Sequence, residues 1–127
     1  MSHDEHHEHL LKELSEQLEP LFKKSPQAIY LYLDDEHKTC NQKFADMLGY
    51  SSIKEWIENE YPVEDIVEED RERGIDAFME ASENCKASTI NGTWITKKGK
   101  KLKTEVTMVP IPFKNEVFVL HFISEKK

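Results

Sequence analysis

Cysteine, glycine and long apolar runs are all scarce in this chain. Two cysteines, Cys40 and Cys85, and four glycines occur among 127 residues. Two thiols build neither a disulfide framework nor a four-cysteine metal site, so both are expected to be free, as suits a reducing cytosol. The longest apolar runs, such as residues 117–120, fall far short of the ~20 residues needed to cross a bilayer. No charged-then-apolar signal opens the chain. Basic charge is also short: 17 Lys and Arg face 25 Asp and Glu, a formal net charge of −8. Such a surface repels phosphate backbones and anionic lipid. Nucleic-acid and membrane binding are therefore not expected, and the chain reads as one cytoplasmic domain, because this length surrounds a single core.

What is present changes character along the chain. Residues 1–9 hold His3, His6, His7 and His9 among acids, and this tip is expected to be disordered. Residues 10–24 form an amphipathic helix, with Leu11, Leu14, Leu18 and Leu21 on one stripe. Pro20 either starts a second short turn or kinks the first helix. Residues 25–127 then read as the domain proper. A strand over residues 28–33 enters a polar turn, answered by a short strand through Thr39 and Cys40. Asn41 caps a helix bearing Phe44, Met47 and Leu48, which Gly49 stops. Ser52 and Glu55 make a capping box for a helix bearing Ile53, Trp56 and Ile57. A longer helix near residues 69–83 presents Ile75, Phe78, Met79 and Ser82 on one side.

The last third alternates instead. Leu102, Thr104, Val106 and Met108 share one face of a strand, and the lysine-rich run at residues 97–100 turns the chain between it and a strand at about residues 87–96. The final strand, residues 116–124, is apolar on both faces. One face enters the core; the other needs a cover, and the N-terminal leucine stripe, from this chain or a partner, is the candidate. Helix, two strands, a helical middle and three strands without a βαβ repeat describe an α+β domain with one antiparallel sheet.

Four local matches, in order, resemble the PAS family of sensor domains. Residues 21–29 (LFKKSPQAI) are similar to the family's approach to its first strand. Residues 41–51 (NQKFADMLGYS) are similar to its asparagine-capped helix ending in Gly-Tyr-Ser. Glu68-Glu69-Asp70-Arg71 stands where the family has His-Pro-Glu-Asp-Arg, and residues 96–101 (TKKGKK) resemble its Lys-Asp-Gly hairpin. The resemblance spans about residues 21–126. It implies a five-stranded antiparallel sheet with helices on one face and a cavity between sheet and middle helices, to which the N-terminal amphipathic helix is added. It also shows departures. The family's closing Asp-Ile-Thr-Glu-Arg appears as Phe122-Ile123-Ser124-Glu125-Lys126, and no effector follows before Lys127. Flavin-binding relatives carry a cysteine within Asn-Cys-Arg-Phe-Leu, absent here, and haem-binding ones usually place a histidine in the middle helices, where residues 41–86 have none. Neither cofactor is expected.

The resemblance implies a stand-alone sensor or protein-interaction module in signal transduction, non-enzymatic; the leucine stripe, the two-sided apolar last strand and the missing effector point to homodimerisation and a separate partner such as a histidine kinase. Room for a small molecule in the core is part of that expectation. The alternatives are a ligand carrier without signalling output and a small α+β-barrel enzyme of the isomerase type, which needs a buried carboxylate. The residues expected to line a pocket are Phe44, Met47, Leu48, Trp56, Ile66, Phe78, Met79, Val106, Met108, Val119 and His121, and the same residues are first of all a core. Leu11, Leu14, Leu18, Phe118 and Leu120 are the dimerisation candidates. His3, His6 and His7 could ligate a divalent metal, but a frayed acidic tip offers no fixed geometry, so no metal is expected.

Overall fold

In this computed structural model the backbone of residues 3–126 and the side chains of residues 5–126 are described. The chain opens with helix α1 (His3–Gln17) and, after a break at Leu18, helix α2 (Glu19–Lys24), which carries Pro20 in its first turn. Of the two roles open to Pro20, starting a new helical turn is therefore the one observed. Helix α1 begins inside the segment expected to be disordered. The reason is packing: His7, Leu10 and Leu14 form a buried stripe at helical spacing, which extends the leucine pattern one turn towards the N-terminus.

Strands β1 (Ala28–Asp34) and β2 (His37–Cys40) form the first hairpin. Helices α3 (Gln42–Leu48) and α4 (Ile53–Ile57), a 3-10 turn at Pro62–Asp65 and helix α5 (Glu68–Asn84) make the helical middle. Strands β3 (Ser88–Ile95), β4 (Lys101–Phe113) and β5 (Glu116–Glu125) complete one antiparallel sheet of order β2-β1-β5-β4-β3. The expected five-stranded α+β architecture is thus present.

The punctuation follows the sequence closely. Asn41 Oδ1 accepts from Phe44 N at 3.0 Å, and Gly49 ends α3 at φ +83°. Ser52 Oγ accepts from Glu55 N, while the Glu55 carboxylate reaches back to Ser51 N at 2.8 Å. Lys114 and Asn115, both at positive φ, turn β4 into β5, the type I′ geometry that matches strand twist. Pro110 and Pro112 lie beyond the stretch of β4 that pairs with β3, where a missing N–H costs no ladder bond on that side.

The sheet has two apolar faces because β1 and β5 carry large apolar side chains on both faces. Helices α3, α4 and α5 cover one, around Tyr30, Phe44, Leu48, Trp56, Trp94, Val106, Val119 and Ile123. Helix α1 covers the other, where Leu10 and Leu14 bury Ile29, Leu31, Phe118 and Leu120.

Candidate functional site

Between the sheet and the helical middle lies a cavity of about 110 Å3. Its floor is sheet: Tyr30 and Tyr32 from β1, His121 from β5, Val106 and Met108 from β4, and Ile90, Gly92 and Trp94 from β3. Its roof is helical: Trp56 from α4, Pro62, Val63 and Ile66 around the 3-10 turn, and Asp70, Gly74, Ile75 and Phe78 from α5. The strand pairs that place the floor are direct, with Tyr30 opposite His121 and Met108 opposite His121 in the ladders. Side chains in register on one face of neighbouring strands converge, so one histidine sits among three strands' core-facing residues.

That histidine is the centre of an aromatic cluster. The His121 ring stacks on Tyr30 with centroids 3.9 Å apart at 11°, and lies near-parallel to Phe78 at 6.4 Å. Tyr30 also meets Trp56 at 5.3 Å and Trp94 edge-on at 6.2 Å. His121 Nδ1 donates to the Val119 carbonyl at 3.1 Å. Burial pushes its pKa down to about 3, because desolvation disfavours the imidazolium. The ring is therefore neutral at physiological pH.

Three further polar groups, two indole N–H groups and a carboxylate, bound the cavity. Trp56 and Trp94 are 1% and 3% exposed, and among the described residues their indole Nε1 atoms have no hydrogen-bond partner. Buried donors of this kind are uncommon and favour an acceptor atom brought by something else. Asp70 is already engaged: Oδ2 accepts from Thr93 N at 2.9 Å and Oδ1 from Arg73 Nη1 at 3.3 Å, while Arg73 also donates to Asn91 O. That carboxylate clips the start of α5 to β3.

Of the residues expected to line a pocket, Trp56, Ile66, Phe78, Val106, Met108 and His121 do so. Phe44, Leu48 and Val119 are fully buried but outside the lining. Phe44 stands behind the cluster, 5.1 Å from Trp56 and 5.7 Å from Trp94, and props the indoles. Met47 packs partly buried at the far end of α3. Met79 is a correction: it is 42% exposed. The inward face of α5 runs through Gly74, Phe78 and Ala81, a stripe at i, i+4, i+7 whose small residues let the helix approach the sheet. Sequence reasoning missed Tyr30, Tyr32 and Trp94 as walls. Their only signal was membership of strands.

The dimerisation candidates are likewise placed. Leu14, Phe118 and Leu120 are buried, and Leu11 and Leu18 half-buried, all within the contact between α1 and its own sheet. The lysines at 97, 98, 100, 101 and 103 are exposed, with Lys97 Nζ 5.1 Å over the Tyr50 ring. Cys40 is buried and Cys85 exposed, both as free thiols. Among the metal candidates, the His3 side chain lies outside the described residues and His6 is exposed. His7 is buried in a fixed setting beside Asp34 and His37.

A family model described as a PAS domain matches residues 26–125. The chain belongs to the PAS domain family. No curated protein matches the sequence, whereas solved structures of PAS domains match the fold. The PAS domain of a Colwellia psychrerythraea protein is 23% identical, with 91% of this chain and 96% of that chain covered and a TM-score of 0.67. The PAS domain of a two-component sensor histidine kinase is 17% identical, covering 91% and 99%, at 0.67. The Vibrio cholerae VqmA dimer, a LuxR-type receptor, is 12% identical, covering 87% of this chain and 51% of that chain, at 0.68. At these identities the likeness is one of fold. Among the described helices none is long and apolar enough to cross a membrane.

Proposed function

We propose that this PAS domain is a sensory and interaction module in signal transduction that binds a compact, single-ring organic molecule in its cavity. The observation that carries the reading is the aromatic cage around His121 with two unpaired indole donors in its walls. Aromatic walls select a flat, weakly polar molecule, and the indoles select one with acceptor atoms at its edge. Size limits it further, since apolar cavities on the order of 150 Å3 take benzene. Ile75 lines the cavity while 47% exposed, which gives a way in beside α5. Binding without catalysis fits Asp70, whose oxygens are committed to Thr93 and Arg73. A carrier without output uses the same cavity, and a cytoplasmic setting accords with two free thiols.

Gly74 supplies the test. A Cβ there meets only Ile66 Cδ1, at 3.7 Å, an ordinary contact. Gly74→Ala is expected to stabilise α5 by roughly 0.5–1 kcal/mol. Gly74→Leu extends into the cavity from the same backbone. Native mass spectrometry of the isolated chain and thermal melts against single-ring heteroaromatics should show a ligand-dependent shift in the wild type. Gly74→Leu should weaken that response at least tenfold while melting no lower. A bare mass together with no shift from any such compound would sink the reading.

The interaction half of the proposal is a homodimer that passes the signal to a separate partner, such as a histidine kinase. VqmA is a dimer, and the α1 patch is a second apolar cluster outside the helical core. The buried part of that patch is closed within one chain, so a dimer uses either exchange of α1 or the half-buried rim that includes Leu11, Leu18 and Phe122. Sedimentation velocity at roughly tens of micromolar should show a dimer for the wild type and a monomer for Leu14→Asp. A monomer in both removes dimerisation.

A further inference from the structure

Where α1 packs against the β1–β2 hairpin, three elements bring metal-ligating side chains together. His7 comes from α1, Asp34 and His37 from the β1–β2 hairpin, and their ligand atoms all lie within 4.8 Å of one another. The placement has a local cause. Pairing slips between Tyr32 and Asp34, so Asp34 stands directly opposite His37, and an irregularity of this kind re-aims a side chain that regular alternation would turn away. His37 Nδ1 is 2.7 Å from Asp34 Oδ1, His7 Nδ1 is 3.9 Å from Asp34 Oδ2, and the imidazoles meet edge-on at 5.4 Å.

We propose that His7, Asp34 and His37 form a site for a borderline divalent transition metal of the Zn2+ class, which clamps α1 onto the sheet. Four features of the cluster support it. Two imidazoles and a carboxylate are the donor set that suits such ions, whereas Mg2+ and Ca2+ prefer oxygen. Tetrahedral Zn2+ with bonds near 2.0–2.1 Å holds its donors about 3.3 Å apart, within small side-chain adjustments of the spacings here. Both histidines are buried, so their rings are held in place, while the Asp34 side chain is 46% exposed and leaves an approach for the ion and a completing water. Finally, an acid stands on the far side of His7: Nε2 lies 3.0 Å from Glu116 Oε1, at the start of β5, within reach of a hydrogen bond once a metal fixes the ring. A carboxylate behind a histidine fixes its tautomer and strengthens the ligating nitrogen, the usual outer arrangement of metal-bound imidazole.

The ion would join α1, the β1–β2 hairpin and, through Glu116, the β4–β5 hairpin. It would set how firmly the helix holds to its own sheet, a function independent of whether the cavity takes a ligand.

The full chain, freed of metal by chelation, is titrated with Zn2+ by calorimetry and with Co2+ by visible absorption, and amide exchange is followed in α1. One equivalent should bind, Co2+ should show a d–d band, and exchange in α1 should slow. His37→Gln and Asp34→Asn should each weaken binding at least tenfold, and Glu116→Gln about tenfold. The double variant His6→Gln/His9→Gln should bind as the wild type does. Asp34, half-exposed, keeps the test decisive if His37→Gln fails to fold. No stoichiometric binding overturns the proposal. So does binding that survives Asp34→Asn but is lost with His6 and His9, or binding that leaves α1 exchange unchanged.

Discussion

Asn41→Ala is expected to remove about 3–5 kcal/mol of folding stability, measured by urea denaturation, out of the 5–15 kcal/mol typical of a domain. The side chain is buried and satisfies three backbone groups at once. Its Oδ1 accepts from Ile29 N at 3.1 Å and from Phe44 N at 3.0 Å, and its Nδ2 donates to Gln27 O at 2.9 Å. Its own N–H bonds Ile29 O. Alanine strands two buried donors, each worth about 1–3 kcal/mol and one of them the helix cap, and leaves the part-buried Gln27 carbonyl only the weaker bond from Ser25 Oγ. Asn41→Asp keeps both acceptances but sets a carboxylate oxygen against the Gln27 carbonyl, so its loss should fall between wild type and alanine. A cost below about 1 kcal/mol for alanine would show that water replaces these bonds.

The second large effect is a dependence on pH. The folded His121 pKa of about 3 lies below the unfolded value of about 6.5. Below pH 6.5 the unfolded chain takes up a proton that the folded chain refuses, so stability falls as pH falls, by up to about 1.4 kcal/mol per unit. The loss from this one ring reaches about 2 kcal/mol by pH 5 and ceases to grow near pH 3. Denaturation curves of wild type and His121→Leu from pH 7.5 to 5 should diverge in slope by that amount, the variant being flatter. Other titrating groups are common to both proteins and cancel in the difference. Parallel curves would mean that the folded ring accepts the proton, by opening to water or by swinging out of the Tyr30 stack.

How much of this was legible in the sequence depended on whether the signal was local. The caps at Asn41 and Ser52, the stop at Gly49 and the alternation of β4 are written within a few residues, and the structure follows them. The inward face of α5 was misread because hydrophobic spacing favours large side chains, and there the buried positions are Gly74 and Ala81 while Met79 looks outward and Ile75 sits half-exposed at the cavity rim. Tyr30 and Trp94 were hidden for a different reason. Strand β1 is apolar on both faces, so alternation could not say which residues faced the helices, and Trp94 became a wall only through the crossing of α5 over β3. The grouping of His7 with Asp34 and His37 joins residues some thirty positions apart through a strand irregularity that no spacing rule encodes.

The sheet order carries a consequence for how the domain assembles. Strands β3, β4 and β5 are successive hairpins and can zip from their turns, whereas β1 pairs with β5 across nearly the whole chain, Ala28 opposite Ile123. Closing so long a loop carries the largest chain-entropy penalty of any step, so the three-stranded meander forms before β1 docks. Tyr30 arrives with β1. Docking of β1 is therefore also the step that walls in His121, and a chain arrested before it would possess the meander and no chamber at all.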